Sequence, residues 1–425
     1  MKIQKKIIQL FIDLRFAIFL LVLIGAVSAL GSIIEQDQSD EYYMQSYPLI
    51  HPVGGILTYQ FIFGLGLNHI YRSWFFLGLL FFLMCSLILC TSKQQFPNVN
   101  VARALVFVKK GNAFKSLPFF SKLPYSSLPS AKIITFLQNT EFYIHQQKNS
   151  FYALNGLFGK IGPILVHISL TLILVGGIFG AFGRFSAEEF LPRGEITHIQ
   201  NLFVSGWFTS LPKFAIRLND FWIEYANQKI SQFYSNLSIL DSQGEEKLNS
   251  TIFVNHPLFY QDVSIYQVDW DLLGLRIQQN LEKIQQYPLF LIQKQPKVWS
   301  SVIVDDSQTA FFVLLEELRQ TLKVYNLDGQ FVANLNFGQK FSQNMQSYFF
   351  VDVIPETGLQ VKADPSIPLT FLGFGLLMVS TLISYLTYSE FWLYFHKKHI
   401  FIGGRTARSQ VDFEKQFSKI VQLFS

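Results

Sequence analysis

Four stretches of the chain are almost wholly apolar, and each is long enough to cross a bilayer. A helix needs about 20 predominantly apolar residues to span the hydrocarbon core. We therefore predict four transmembrane helices, at Phe16–Ile34, Trp74–Cys90, Ile161–Phe182 and Ile367–Tyr388. The basic arm before the first stretch suggests a signal peptide, but the apolar run is too long for one, and we expect an uncleaved span.

A fifth apolar stretch, His51–Leu67, is short and contains Gln60 and four glycines. The distribution of lysine and arginine indicates whether it also spans. Basic residues concentrate in the N-terminal arm, in the loop between the second and third spans, and in the tail, whereas the loop from Glu35 to Ser73 carries only Arg72. Basic loops favour the inner side, and only a four-span plan places all three basic stretches there. We predict that His51–Leu67 is interfacial and that both termini lie inside.

The long segment between the third and fourth spans alternates apolar and polar residues with a period of two, which is typical of strands. Phe214–Tyr225 and Leu322–Phe337 show the pattern clearly, and the sequences DSQG and LDGQ separate apolar runs as hairpin turns do. This segment contains no cysteine, so no disulfide staples it. The predicted fold class is a membrane protein with four transmembrane helices plus a large β-rich extramembrane domain between the third and fourth spans.

The loop before the third span and the tail are less regular. Leu128–Thr140 has a helical pattern and Glu141–Gly156 a hairpin pattern, which together predict a small α/β element seated on the membrane. The tail predicts an amphipathic helix that lies on the bilayer, docks on a partner or packs on the protein's own loop. The apolar face of that helix consists of Phe413, Phe417, Ile420, Val421 and Phe424.

These patterns divide the chain into six predicted segments. They are the first two spans with a short lumenal loop (1–91), a stromal or cytoplasmic loop (92–160), the third span (161–182), a lumenal or periplasmic β-rich domain (183–364), the fourth span (365–388), and a stromal or cytoplasmic tail with the amphipathic helix (389–425).

Composition excludes several classes of function. The net charge of +5, without a block of five basic residues, carries no nucleic-acid signal. Cys85 and Cys90 both lie in an apolar stretch, and no CxxC or CxxCH motif occurs, so the chain is neither a thiol oxidoreductase nor a c-type cytochrome itself. The GxSxG, P-loop and HExxH motifs are also missing, and we predict no catalytic residue.

One ionisable residue, His167, lies inside a predicted span. It is about 9 Å from Ile161 along a helix axis, well below the membrane surface. Ionisable groups at membrane depth are costly and are functional candidates by default. A neutral imidazole is a common metal ligand and an axial ligand of haem, but it also forms helix–helix hydrogen bonds. The residues alone leave both roles open.

Other histidines have simpler interpretations. His396 and His399 have a metal-ligand spacing, but Lys397 and Lys398 between them favour a basic segment after the last span. His256 lies in an aromatic segment that favours core strands over a ligand site.

Several short motifs, in order along the chain, resemble the ResB/CcsB-type membrane proteins of System II cytochrome c maturation, which occur in plastids, cyanobacteria and several other bacteria. The sequence has Asp364-Pro365-Ser366 where that family often has DPG. The motifs are LGSIIEQ (Leu30–Gln36), GPILVHISL (Gly162–Leu170), VNHPLFYQ (Val254–Gln261), YQVDW (Tyr266–Trp270), DPSIPLTFLGFGLLMVS (Asp364–Ser380) and IGGRTARSQVDFEKQF (Ile402–Phe417).

The resemblance implies delivery of haem and its covalent attachment to apocytochromes c on the lumenal side. It implies a CcsA/ResC-type partner with a tryptophan-rich haem motif, which fits the scattering of the six tryptophans here. His167 would bind the haem iron transiently, with the second ligand supplied by the partner. The chain would be part of a haem-attachment (holocytochrome c synthase) complex rather than an enzyme alone. Its expected location is the plastid thylakoid membrane, or a cyanobacterial thylakoid or bacterial inner membrane.

Three rival functions would require different sequence features. A b-type haem electron-transfer subunit would need histidine pairs on facing spans, and only one span holds a histidine. A transporter subunit would often show internal repeats, and none is visible. A membrane assembly scaffold that binds no haem, with His167 as a structural residue, stays open.

Overall fold

The computed structural model describes residues 2–124, 135, 137–226, 229–279, 283–294, 297–304, 310–316, 321–336, 338–343, 346–396 and 399–422. The helices in this part are α1 Lys2–Ile12, α2 Leu14–Ile33, α3 Asp40–Ser46, α4 Tyr59–Leu65, α5 Trp74–Cys90, α6 Phe96–Arg103, α7 Gly111–Phe114, α8 Phe158–Gly183, α9 Ile367–Ser384 and α10 Gln410–Gln422. A 3₁₀ turn covers Leu67–Arg72, and a π-helical turn covers Thr91–Gln95.

Four helical segments of the described chain are long and apolar enough to cross a membrane, as predicted. They are Leu14–Ile33, Trp74–Asn100, Phe158–Gly183 and Ile367–Ser384. The second continues past Cys90 through the π-helical turn. The fourth ends at Ser384, earlier than its apolar pattern, and Tyr388 is buried outside the helix.

Close packing joins the third and fourth spans. A Cβ atom on Gly176 would lie 2.4 Å from Thr370 Oγ1, and one on Gly373 would lie 2.7 Å from Ile173 Cγ1. Small residues of this kind let membrane helices approach each other closely, and van der Waals contact then holds them together.

The stretch His51–Leu67 does not form a span. Its only α-helix is the seven-residue α4, whose Ile62 is buried among Ile34, Tyr43 and Tyr47. The segment is tied to the end of the first span, since Gln36 Nε2 donates to Leu67 O at 2.9 Å.

Glu35, which directly precedes Gln36 in the LGSIIEQ motif, accepts a hydrogen bond from the Tyr47 hydroxyl at 2.8 Å. This bond lowers the pKa of Glu35, and burial together with that carboxylate raises the pKa of Tyr47 to about 12. The motif therefore anchors the loop that joins the first two spans.

One of the two compact units contains the four spans and a five-stranded antiparallel sheet. The strand order is β1-β21-β20-β3-β2. We call this sheet, together with α10, the loop–tail domain. Its strands are β1 Phe119–Pro124, β2 Tyr143–Gln147, β3 Ser150–Asn155, β20 Ser389–His396 and β21 His399–Thr406.

The tail contains more structure than the predicted amphipathic helix. The predicted β2–β3 hairpin is present, whereas most of Leu128–Thr140 lies outside the described residues. The tail contributes two strands that were not predicted, and His396 and His399 are cross-strand partners in them rather than helical neighbours. Both strands were missed because their apolar run directly follows a span, where it resembles the end of that span.

The predicted amphipathic helix is α10, and the described part of its apolar face packs on the protein's own sheet, whereas Phe424 lies outside the described residues. Phe413, Phe417 and Ile420 are buried against strand residues that include Phe391 and Ile402. A Cβ atom on Gly404 would lie 2.7 Å from the Phe413 ring, so a glycine is needed where the helix crosses the strand. Of the three alternatives for this helix, packing against the protein's own loop is the one observed.

A buried carboxylate links the loop strands to the tail strands. Glu390 is 4% exposed, and its Oε1 accepts hydrogen bonds from the hydroxyls of Tyr152 (2.7 Å) and Tyr388 (2.9 Å). Its Oε2 accepts from Arg405 Nε (2.9 Å) and Nη2 (2.5 Å). Burial raises the pKa of Tyr388 to about 12, so its phenol stays a hydrogen-bond donor at neutral pH.

We expect Glu390→Ala to destabilise the loop–tail domain by about 2–3 kcal/mol, since two buried hydroxyls lose their acceptor. The Arg405 side chain is 53% exposed, so water hydrates its released charge and limits the loss. Hydrogen exchange of β20 and β21 in the detergent-solubilised chain measures the effect. The exposed Glu414→Ala is the control, and equal exchange in both variants would contradict the prediction.

The second compact unit consists of Asp37–Asp40 and Phe182–Pro365 and is rich in β-strands, as predicted. It contains a seven-stranded sheet built on β10-β11-β19-β4-β6 with β12 and β18 added, a five-stranded sheet β13-β14-β15-β16-β17 and a four-stranded sheet β5-β7-β8-β9. The strands are β4 Phe185–Pro192, β5 Ile196–Thr197, β6 Leu202–Ser205, β7 Ala215–Ala226, β8 Lys229–Leu240, β9 Glu246–Phe253, β10 Leu258–Tyr260, β11 Val263–Gln279, β12 Lys283–Pro288, β13 Phe290–Lys294, β14 Lys297–Val304, β15 Ala310–Glu316, β16 Thr321–Asn326, β17 Phe331–Asn336, β18 Lys340–Gln343 and β19 Gln346–Ala363.

The motifs VNHPLFYQ and YQVDW contribute buried residues to the apolar core of this β-rich unit. Trp270 of YQVDW lies 5.3 Å from Trp299, ring centroid to centroid, and both are buried in one apolar cluster. Pro257 precedes β10, and the exposed His256 stacks on Phe253 with centroids 4.5 Å apart. The predicted core strands are present as β10 and β11, whereas His256 itself is exposed before β10.

Candidate functional site

His167, on α8, lies against the end of the second span, at the π-helical turn. Thr91 is the first residue of that turn and Gln95 the last, and both side chains reach the imidazole. A π-helical turn is rare, and it is often found at functional sites because it re-aims side chains within a helix. The environment of His167 is therefore supplied by a local irregularity of a neighbouring span.

Thr91 determines which imidazole nitrogen carries the proton. Thr91 Oγ1 lies 3.0 Å from His167 Nδ1 and 2.8 Å from Leu87 O. A hydroxyl has one proton, and the carbonyl oxygen only accepts, so the Thr91 proton is donated to Leu87 O. The hydroxyl oxygen then accepts a hydrogen bond from Nδ1–H. A neutral His167 therefore has its free lone pair on Nε2, which is the nitrogen available to a metal.

Gln95 is the group now next to that lone pair. Its amide nitrogen lies 3.1 Å from His167 Nε2 and 3.3 Å from Nδ1, and only Nε2 is able to accept from it. The Gln95 Oε1 atom is buried and has no hydrogen-bond partner among the described residues. A buried polar atom without a hydrogen-bond partner destabilises the folded state. The present position of the Gln95 side chain is therefore unfavourable. Any metal bound by Nε2 must displace it.

A cavity of about 670 Å³ opens beside His167 and is lined mainly by aliphatic side chains. Cavities of this size and character bind largely apolar small molecules, with a few polar groups that fix their orientation. The lining residues are Ile12, Asp13, Leu14, Ala17, Ile18, Leu21, Ile24, Leu80, Leu83, Ser86, Leu87, Cys90, Gln94, His167, Leu170, Ile173 and Leu174.

These residues fit one axial ligand of a haem iron and no closed metal site. Among the described residues, no group of three His, Cys, Asp or Glu side chains is placed to hold a metal ion. The four spans, as the structure bounds them, contain a single histidine, His167. One imidazole that lines an apolar cavity and has its free lone pair on Nε2 suits a metal complex whose remaining ligands come from elsewhere.

The structure also tests the neighbours of His167. Ser169 Oγ donates to Leu165 O at 2.7 Å and Thr171 Oγ1 to His167 O at 2.8 Å, as expected for hydroxyls inside a helix. Sequence reasoning missed Thr91 and Gln95, because they lie where the second span becomes polar and resemble an ordinary helix end. The π-helical turn and the contact with another span give them a role, and neither has a local sequence signal.

Comparisons with known proteins cover nearly the whole chain. The model of the ResB-like family matches residues 14–307 and 312–418. The chain is 41% identical to a cytochrome c biogenesis protein Ccs1 of Trieres chinensis, over 99% of this chain and 100% of that protein. It is 43% identical to the Ccs1 protein of Phaeodactylum tricornutum, with the same coverage. It is 37% identical to a cytochrome c biogenesis protein CcsB of a Synechococcus strain, over 99% and 92% of the two chains.

Proposed function

The chain belongs to the ResB-like family, and from that premise we propose that it acts in cytochrome c biogenesis, where haem is delivered and covalently attached to apocytochromes. The observation that supports the step of haem delivery is the geometry of His167, which lines an apolar cavity and has its free lone pair on Nε2. Haem supplies the vinyl groups that the cysteine thiols of the apocytochrome attack. The chain itself supplies one iron ligand and an apolar cavity that excludes water.

A single imidazole fills one axial position, so the proposal requires a second ligand from another protein. A CcsA/ResC-type membrane partner would provide it. Stable haem binding is then a property of the complex, and the β-rich unit is available to receive the apocytochrome. No step of thioether formation needs a catalytic residue from this chain, because holding the reactants in place is itself a large contribution to the rate.

We expect the chain purified with its partner to show a strong haem absorbance band, and the chain purified alone to show much less. The reason is that one axial ligand holds haem more weakly than two. Absorbance spectra of the two preparations, normalised to protein, measure this. Equal and strong haem bands in both would contradict shared ligation, and the absence of haem from both would favour a role without haem.

One observation favours a second candidate, a membrane assembly scaffold. The hydrogen bond between His167 and Thr91 joins two spans, and it is the kind of contact that a purely structural histidine makes. The two candidates differ in what they require of Nε2, because only the haem-binding role uses its lone pair.

The proposed location is the plastid thylakoid membrane, with both termini in the stroma and the β-rich unit in the lumen. Reporter fusions at Gln243 and at Ser425 are expected to report opposite compartments, because lysine and arginine concentrate in the segments placed inside. A fusion within the 92–160 loop serves as a control for the inner side. Reporters at Gln243 and Ser425 on the same side would refute the four-span topology.

A further inference from the structure

A second cavity, of about 250 Å³, has Gln95 among its lining residues. Its lining contains two cations, Lys160 and Arg408, two side-chain amides, Gln95 and Asn98, and the hydroxyl-bearing Ser384 and Tyr388. None of its lining residues is acidic. A concave surface lined by positive charge and hydrogen-bond donors, without a carboxylate, concentrates anions.

The two cations are not neutralised by carboxylates in the part of the chain that the structure describes. Lys160 Nζ lies 4.7 Å from the centre of the Tyr388 ring. Arg408 Nη1 donates to Ser384 O at 2.8 Å, and its guanidinium lies over the Tyr385 ring at 5.5 Å. Arg405 is different, since Glu390 pairs with it. Lys160 and Arg408 therefore keep their positive charge available to a ligand.

Lys160 is aligned with His167 on the same helix. Both belong to α8, and Lys160 precedes His167 by seven residues, which is nearly two full turns. The two residues thus lie on about the same face, separated by about 10 Å along the axis. This separation of the two backbone positions is comparable to the distance from the central metal of a tetrapyrrole to the propionate carboxylates at the edge of the macrocycle.

We propose that this cationic cavity binds the propionate carboxylates of a tetrapyrrole, with Lys160 and Arg408 as their partners. The inference rests on the proposed function of His167 and adds the polar end of the same ligand site. The cavity is too small for a macrocycle and large enough for carboxylates, whereas the 670 Å³ cavity beside His167 is large and apolar. Gln95 lines the cationic cavity and also contacts the imidazole of His167. Displacement of Gln95 from His167 would therefore link the cationic cavity to the proposed iron ligand.

The alignment with His167 favours the tetrapyrrole over the other source of an anion, a lipid headgroup phosphate. A lipid headgroup would require only the two cations. Its binding would not require an imidazole two turns away on the same face of α8. The two sources are separated experimentally by a probe that carries carboxylates and no metal.

The test uses the full chain in phosphatidylcholine nanodiscs and the fluorescence of metal-free protoporphyrin IX. We expect it to bind more tightly than its dimethyl ester, which has no charged carboxylates. Lys160→Gln should weaken protoporphyrin binding about tenfold, as expected for the loss of a hydrogen bond to a charged group, and should leave ester binding unchanged. Lys160→Arg should retain most of the binding. Lys122→Gln is the matched control, because Lys122 also lies over an aromatic ring, that of Phe401, but lines neither cavity.

Equal affinities of wild type and Lys160→Gln for protoporphyrin IX would overturn the proposal, and so would equal binding of acid and ester. Loss of co-purified phosphatidylglycerol in Lys160→Gln, with unchanged protoporphyrin binding, would assign the cavity to lipid and also overturn it. His167→Ala separates this inference from the proposed function. It should keep the difference between acid and ester, since the probe has no metal, even where the assignment of His167 as an iron ligand fails.

Discussion

Replacing His167 with alanine is expected to abolish holocytochrome c formation while the chain stays folded and inserted in the membrane. The change removes the only imidazole within the described spans and therefore the proposed iron ligand. The structural loss is small, because Thr91 keeps its hydrogen bond to Leu87 O and an interhelical hydrogen bond is worth about 1 kcal/mol or less. Haem staining of c-type cytochromes in cells, normalised to the level of the variant protein, measures the outcome.

Two controls sharpen this experiment. Added imidazole is expected to restore part of the activity by entering the vacated coordination site, which a purely structural hydrogen bond would not allow. His145→Ala, at an exposed position of β2, should mature cytochromes normally. Normal maturation by His167→Ala, together with an unchanged haem spectrum of its complex, would reject the ligand assignment and favour the scaffold.

Thr91→Val is expected to weaken haem binding to the complex by about 10- to 100-fold, the usual cost of losing the group that orients a metal-binding histidine. Valine has nearly the volume of threonine but accepts no hydrogen bond, so Nδ1–H loses the partner that holds the proton away from Nε2. Haem titration of the complex, followed by absorbance, measures the affinity. Thr91→Ser should retain most of it.

The matched control for Thr91 is Thr171→Val, the same substitution on the span that carries His167. Thr171 Oγ1 bonds the backbone oxygen of His167 and not the ring, so haem affinity should be unchanged. Equal affinities in Thr91→Val and wild type would mean that Thr91 does not orient the imidazole. An equal loss in both valine variants would point to a general effect on helix packing.

The sequence by itself predicted the features that follow from local pattern. The four spans could be identified because a bilayer requires a continuous apolar length, and the β-rich unit could be identified from its period-two alternation. His167 stood out because an ionisable residue among aliphatic neighbours is visible without any knowledge of its contacts.

Only the tertiary structure decided the features that depend on residues distant in sequence. The strands β20 and β21 were missed since their role requires pairing with β1 and β3, more than 200 residues earlier in the chain. The face of α10 was visible in the sequence, but its partner was not, because an apolar face packs equally well on lipid, protein or its own sheet. Thr91 and Gln95 acquire a role through a π-helical turn that brings them to an imidazole more than 70 residues away. Local propensity indicates which secondary structure a segment can form. The nitrogen of His167 that carries the proton is determined instead by the side chain that tertiary packing places next to the ring.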